Sequence, residues 1–300
     1  MKRRLVVNAD DLGLTVGVND GIFEAHDLGI LTSASLFANA PATADAIRRA
    51  EARPSLGVGA HLTLVDGSPV LPSRQVSTLI ADDGRFRRSW KPFIVACLQG
   101  RVSLVEVEEE LTAQIEQLQR AGIALTHLDT HKHVHAYPPV FGVVAALAVR
   151  FGIAAVRVPY ERWSRALLSA GEPGERRTAR YQAFLNAAMW PWAQRNYRTA
   201  ASLALRTPRL IGRIHTGVLS TPALRAMLRA TTDGVTELMV HPGHVDDALR
   251  HTSTRLLRSR EQELDLLCSM ETRALMVGER IDLIRHDLSH TVRRSLRHVS

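Results

Sequence analysis

Cysteine is nearly missing from this chain: Cys97 and Cys268 are the two among 300 residues, and they lie far apart. No CxxC pair exists, which excludes a disulfide framework and a thiolate zinc site. Long apolar runs are absent too. No stretch approaches the roughly 18 apolar residues of a membrane-spanning helix. Behind the basic start Lys2-Arg3-Arg4 stand only Leu5, Val6 and Val7 before polar residues intervene, far short of a signal-peptide core. No glycine-rich phosphate loop follows the first expected strand, which disfavours dinucleotide and P-loop enzymes. There is no internal repeat and no low-complexity tract. These absences lead us to expect a soluble, cytoplasmic protein.

The composition is ordinary for a globular chain, 45% hydrophobic and 23% charged. The length suits one large α/β domain or two smaller ones, and we expect residues 1–300 to form a single domain. The formal charge is +8, and its position matters more than its size. Between Tyr160 and His215 stand ten arginines, no lysine and three glutamates, with three of the four tryptophans and three of the four tyrosines. Arginines mixed with aromatics suit nucleic acid or an anionic membrane surface. A solvated arginine-rich face is the plain alternative.

Periodicity predicts strands at Arg4–Ala9, Leu31–Leu36, Leu56–Leu64, Ile123–Asp129, Ala155–Val158 and Glu237–Val240. It predicts helices through Val18–His26, Thr43–Ala52, Leu104–Ala121, Pro139–Phe151 and Arg258–Leu275, and a long loop over Asp66–Pro92. On the Leu104–Ala121 helix the expected buried stripe is Val105, Leu111, Ile115 and Leu118. Strands alternating with helices argue an α/β fold with a mainly parallel sheet.

The densest signal is Thr126-His127-Leu128-Asp129-Thr130-His131-Lys132-His133-Val134-His135. In an extended strand, His127, Asp129, His131, His133 and His135 would share one face. Such a face packs poorly, but imidazole and carboxylate are the usual nitrogen and oxygen ligands of a divalent metal. Other reactive side chains fall at strand ends: Asp10-Asp11, His61, Arg157 and His241. Barrels and open α/β sheets place their active sites at that edge. One carboxylate and two histidines make a common three-ligand site that leaves room for water. A second carboxylate can take the proton from that water, and a further histidine can protonate a leaving group. The chain supplies every part. Adjacent residues on a regular strand face opposite ways, so Asp10 and Asp11 enter one site only if the strand ends there and turns. Leu12-Gly13 permits that turn, and which aspartate is ligand and which is base stays open.

The motifs Asn8-Ala9-Asp10-Asp11-Leu12-Gly13, Gly59-Ala60-His61-Leu62-Thr63 and Thr126–His133, with Arg157-Val158-Pro159 and His241-Pro242-Gly243-His244, resemble the YdjC-like carbohydrate deacetylases. The resemblance implies a distorted (β/α) TIM-like barrel that removes acetyl groups from N-acetylated sugars with one divalent metal. It implies Asp11, His61 and His131 as metal ligands, Asp10 as general base and His241 as general acid. We expect Arg157 to orient Asp10 by charge pairing. Two histidines and one aspartate suit Zn²⁺ best, with Mg²⁺, Mn²⁺, Co²⁺ and Ni²⁺ also compatible.

The Tyr160–His215 segment looks like an inserted helical elaboration. Tyr181, Phe184, Leu185, Ala188, Met189 and Trp192 form an apolar helical stripe, flanked by Arg180, Arg195 and Arg198. The chain is similar to the hopanoid biosynthesis-associated subgroup of that family. That similarity implies an N-acetylglucosaminyl hopanoid glycolipid as substrate, with peripheral contact at an anionic inner membrane face. The stripe either packs as core or meets lipid. Competing functions are deacetylation of soluble N-acetylated oligosaccharides, a phosphoesterase on the same ligands, and a non-catalytic membrane or nucleic-acid binder. A complete set of base, acid and ligands argues against the last, so no nucleic acid is expected as partner.

Overall fold

Strands and helices alternate through residues 2–289, which a computed structural model describes. In chain order the elements are β1 (Arg3–Leu12), α1 (Val16–Leu28), β2 (Ser33–Leu36), α2 (Thr43–Glu51), β3 (Gly57–Leu62), α3 (Trp90–Leu98), α4 (Leu104–Arg120), β4 (Leu128–Thr130) and α5 (Pro138–Arg150). They continue as α6 (Arg165–Ser169), α7 (Pro173–Ala188), α8 (Trp190–Ser202), β5 (Arg209–Ile211), α9 (Thr221–Ala230), β6 (Gly234–Val240), α10 (Asp247–Arg250), α11 (Arg258–Cys268), α12 (Met270–Gly278) and β7 (Ile281–Leu283).

Among the described residues the seven named strands pair only in parallel, in the order β4-β3-β2-β1-β6-β5, and β7 lies beside the first residues of β1. Single bridges Leu128↔Val156, Ala155↔Arg206 and Glu161↔Leu210 reach from β4 towards β5. The result is a curled, all-parallel half-barrel, consistent with a distorted TIM-like barrel. Parallel strands need long crossovers, and helices supply them. Those helices cover the sheet, so β1 is buried on both faces from Leu5 to Leu12. Helix starts carry their expected signals. The Thr15 side chain accepts from the Val18 amide, Ser103 accepts from Glu106, and α5 opens on proline.

Several expectations need correction. The Ala155–Val158 stretch makes only single bridges rather than a strand. The long loop ends in a helix, α3, that the polar stretch before it concealed. On α4, Leu111, Ile115 and Leu118 are buried as expected, but Val105 is exposed and Val107 takes its place in the core stripe. The last long helix is two, because Ser269 ends α11 and caps α12 by accepting from Thr272. The apolar stripe of the arginine-rich segment is broken at Met189, between α7 and α8. Trp192 turns away to pack edge-on against Tyr137. The rest of the stripe is not core: Tyr181 and Phe184 are 60% and 72% exposed.

One packing contact ties the fold to the strand ends. A Cβ added at Gly21 on α1 would stand 2.4 Å from the Cα of Gly243, in the loop after β6. Gly21→Ala is therefore expected to push that loop away and cost about 1–3 kcal/mol of stability, typical of overpacking. Chemical denaturation measures it, and an unchanged midpoint would contradict the close approach.

Candidate active site

The adjacent aspartates reach one site through a bulge. The register of β1 against β2 slips between Ala9 and Leu12, and Asp11 takes a left-handed φ of 71°. A bulge re-aims side chains without ending a strand, and aspartate tolerates the left-handed region better than most residues. The strand therefore runs on to Leu12, where the sequence suggested a turn.

Asp10 is held by the fully buried Arg157. The guanidinium grips both carboxylate oxygens, Nη1 to Oδ2 at 2.8 Å and Nη2 to Oδ1 at 2.7 Å. Asn8 Nδ2 adds a bond to Asp10 Oδ1 at 3.1 Å. A carboxylate has about four lone-pair positions, so Asp10 retains acceptor capacity. The same Arg157 pairs with Asp129 Oδ2 at 2.9 Å and with Glu237 Oε1 at 2.6 Å. One cation cannot fully compensate three buried anions. Burial would raise the Asp129 carboxyl, but Arg157 and His61 outweigh it and hold it well below the usual range. At Glu237 burial wins, helped by repulsion from Asp129 and Asp10, and pushes the carboxyl up to about 7 despite Arg157.

Beside this cluster, Asp11, His61 and His131 converge. Asp11 Oδ1 lies 3.5 Å from His61 Nε2 and 3.2 Å from His131 Nδ1, and the two ring nitrogens are 3.3 Å apart. Bonds of about 2.0–2.1 Å to one ion separate neighbouring donors by about 3.0–3.4 Å, so the spacing fits a divalent metal. The far side of each ligand is braced. His61 Nδ1 donates to Asp129 Oδ1 at 2.7 Å, which aims Nε2 inward. Ser35 Oγ donates to Asp129 Oδ2 at 2.7 Å. His131 Nε2 faces Asp66 at 3.8 Å, and Lys132 steadies Asp66 at 2.5 Å. Arg260 Nη2 holds Asp11 Oδ2 at 2.5 Å. Burial would raise the Asp11 carboxyl, but Arg260 and the two histidines keep it well below the usual range. Burial opposes charge on His61, yet Asp129 and Asp11 prevail and push it up to about 10. The three donor atoms meet closely enough that they could hold a cation between them. A second grouping, Asp10, His61 and Asp129, is close enough to hold an ion, but Arg157 already supplies the cation to both of its carboxylates.

The five alternating residues do not share a face. β4 is three residues long, and the chain then turns sharply, with Lys132 and His133 both left-handed at φ 52° and 54°. Asp129 and His131 reach the site. His127 is bonded to Ser35 and stacked 3.8 Å from His286. His135 spans Thr130 Oγ1 and the Arg157 carbonyl, the latter at 2.8 Å. Asn196 of α8 donates to the Ala136 carbonyl at 3.0 Å, which clamps the turn from outside. His133 Nδ1 is buried and has no hydrogen-bond partner among the described residues.

His241 follows β6, and its amide donates to Glu263 Oε2 at 2.6 Å. Burial pushes its imidazole down to about 4, against the pull of Asp10 and Asp11, so it rests neutral. Sequence reasoning placed Asp10, Asp11, His61, His131, Arg157 and His241 at one edge, and the structure gathers them there. It did not foresee Asp66, Glu237, Arg260 or Glu263 as supports. Arg260 meets Asp11 from 249 positions away, and no local pattern signals such a pair.

The profile of a family described as YdjC-like protein matches residues 4–277. A carbohydrate deacetylase of Brevibacillus brevis is 33% identical over 285 residues, covering 94% of this chain and 97% of its own. One from Listeria monocytogenes is 32% identical, covering 94% and 98%. The crystal structure of a candidate cellobiose-phosphate cleavage protein from Enterococcus faecalis superposes with a TM-score of 0.76 at 25% identity, covering 96% of this chain and 98% of that one.

Removing Arg157 tests the charge balance. Arg157→Met leaves Asp10, Asp129 and Glu237 facing one another and is expected to cost about 3–5 kcal/mol. The pH dependence should steepen, because Glu237, its carboxyl pushed up to about 7, already favours the folded parent as pH falls from 7. Asp129 now contributes stability above its unfolded pKa of about 4, lost only below it. In the variant, uncompensated burial raises the folded-state carboxyl values above the unfolded ones. The folded protein then binds more protons, and stability should rise as pH falls from 7 towards 5. Melting temperatures at both pH values decide it, and a constant gap from the parent would contradict the balance.

Proposed function

From the premise that the chain belongs to the YdjC-like protein family, we propose that it is a metal-dependent N-deacetylase acting on an N-acetylglucosaminyl substrate. The observation that carries this reading is the cluster of Asp11 Oδ1, His61 Nε2 and His131 Nδ1, within 3.5 Å of one another beside the Arg157-held Asp10. Asp11, His61 and His131 would hold one divalent ion, Zn²⁺ being the best match. That ion supplies Lewis acidity towards an amide carbonyl and a water. The named carbohydrate deacetylases support a sugar amide as the substrate.

The chain's own groups divide the remaining work. Asp10, oriented by Arg157 and Asn8, takes the proton from the attacking water. His241 gives a proton to the departing amine. Because His241 rests neutral, the proton it gives is one it takes up during turnover. The C–N bond breaks as the new C–O bond is made: one hydrogen of the water ends on the amine, and the other leaves the product carboxyl group as it ionises to acetate.

The finer reading is a glycolipid, an N-acetylglucosaminyl hopanoid, with residues 1–300 as one catalytic domain. The 160–215 segment is then an elaboration facing the substrate's apolar part at an anionic membrane surface. No helix among the described residues is long and apolar enough to cross a membrane, so contact would be peripheral.

Acetate release from an N-acetylglucosaminyl lipid and from a soluble N-acetylated oligosaccharide, each with and without chelator, tests the reading. Release is expected from the lipid and lost with chelator. Release from the soluble sugar alone would reassign the substrate, and none from either would end the deacetylase reading. Asp10→Asn should retain metal and lose about 10²–10⁴-fold in turnover. Alanine at Asp11, His61 or His131 should abolish tight metal binding. Near-normal turnover in Asp10→Asn would remove Asp10 as base.

A further inference from the structure

Helix α7 is inside out. Its buried face is Ala179, Ala183 and Asn186, and its largest apolar side chains point to water. Arg177, Arg180, Tyr181, Phe184, Leu185 and Ala188 are all exposed, and their spacing places them on one arc opposite the buried face. Helices normally bury such a stripe, and contiguous exposed apolar surface marks an interaction site.

We propose that this outward face of α7 docks the protein on an anionic lipid surface. The inference deepens the glycolipid reading by naming the residues that enter the membrane interface, and only its purpose rests on that reading. Charge complementarity selects the occupant. The outward arc carries arginine and no acid. The three glutamates of the segment are committed elsewhere: Glu161 is buried and accepts from the Ile214 amide at 2.8 Å, and Glu172 and Glu175 close the capping box at the start of α7. Exposed Arg195 and Arg198 on the neighbouring α8 add to the same sign. Tyrosine and phenylalanine beside arginine are what a helix lying in a lipid interface presents, rings among the acyl boundary and guanidiniums at the phosphates. Asn196 of α8 holds the turn that carries His131, so the docking unit is joined to the candidate site.

The test is co-sedimentation of the full chain with phosphatidylcholine vesicles and with vesicles also containing phosphatidylglycerol. Binding is expected to the second kind and to fall with salt. Combined Tyr181→Ser and Phe184→Ser, exposed and tolerable to the fold, should weaken it at least about tenfold. Arg177→Gln and Arg180→Gln should each cost about fivefold. Asp10→Asn should bind as the parent does, because docking needs no chemistry. Absence of vesicle binding, or binding untouched by these substitutions, overturns the proposal. So does a dimer that Phe184→Ser dissociates, since a second copy then covers the face, or binding of single-stranded RNA without vesicles. Acetate release without vesicle binding defeats docking alone, and vesicle binding without acetate release from any substrate defeats the deacetylase reading alone.

Discussion

A buried arginine surrounded by three carboxylates is the constraint on which the site depends. Arg157 enters from an irregular segment between β4 and β5 and contacts Asp10 from β1, Asp129 from β4 and Glu237 from β6. Those anions could not share a dry interior without it. With it, β1, β4 and β6 are tied together through one guanidinium. Asp129 is then positioned to aim His61, and Asp10 is left beside the donor trio rather than in it. The bulge in β1 completes the arrangement by sending neighbouring aspartates to different cations, Asp10 to Arg157 and Asp11 to Arg260.

Much of this was legible in the sequence because it is local. Apolar runs ending in Asp10-Asp11, His61 and His241 mark parallel strands whose carboxyl ends converge. What was not legible depends on backbone conformation or distant pairing. The alternation from His127 to His135 has a strand's period, yet the strand stops at Thr130 and two left-handed residues re-aim the chain. Period alone cannot register a turn that the tertiary fold imposes. Arg260 and Glu237 look like ordinary helix and strand residues until the sheet closes around them. The stripe on α7 is the opposite case: its periodicity was visible, but periodicity does not say which side is wet.

Two levels of organisation thus meet in one chain. The strand ends form a buried cluster of charges whose donors could hold a cation, and a helical segment beside it exposes aromatic and arginine side chains. Asn196 links them through the Ala136 carbonyl, at the close of the turn that begins with His131. A substrate with a sugar amide at one end and an apolar body at the other would satisfy both.

The most direct test of the central claim is anomalous diffraction from crystals grown with Zn²⁺. The account predicts one strong peak within bonding distance of Asp11 Oδ1, His61 Nε2 and His131 Nδ1, with Arg157 still on Asp10. A peak between Asp10 and Asp129 with Arg157 displaced, or no peak from protein that releases acetate, would contradict it.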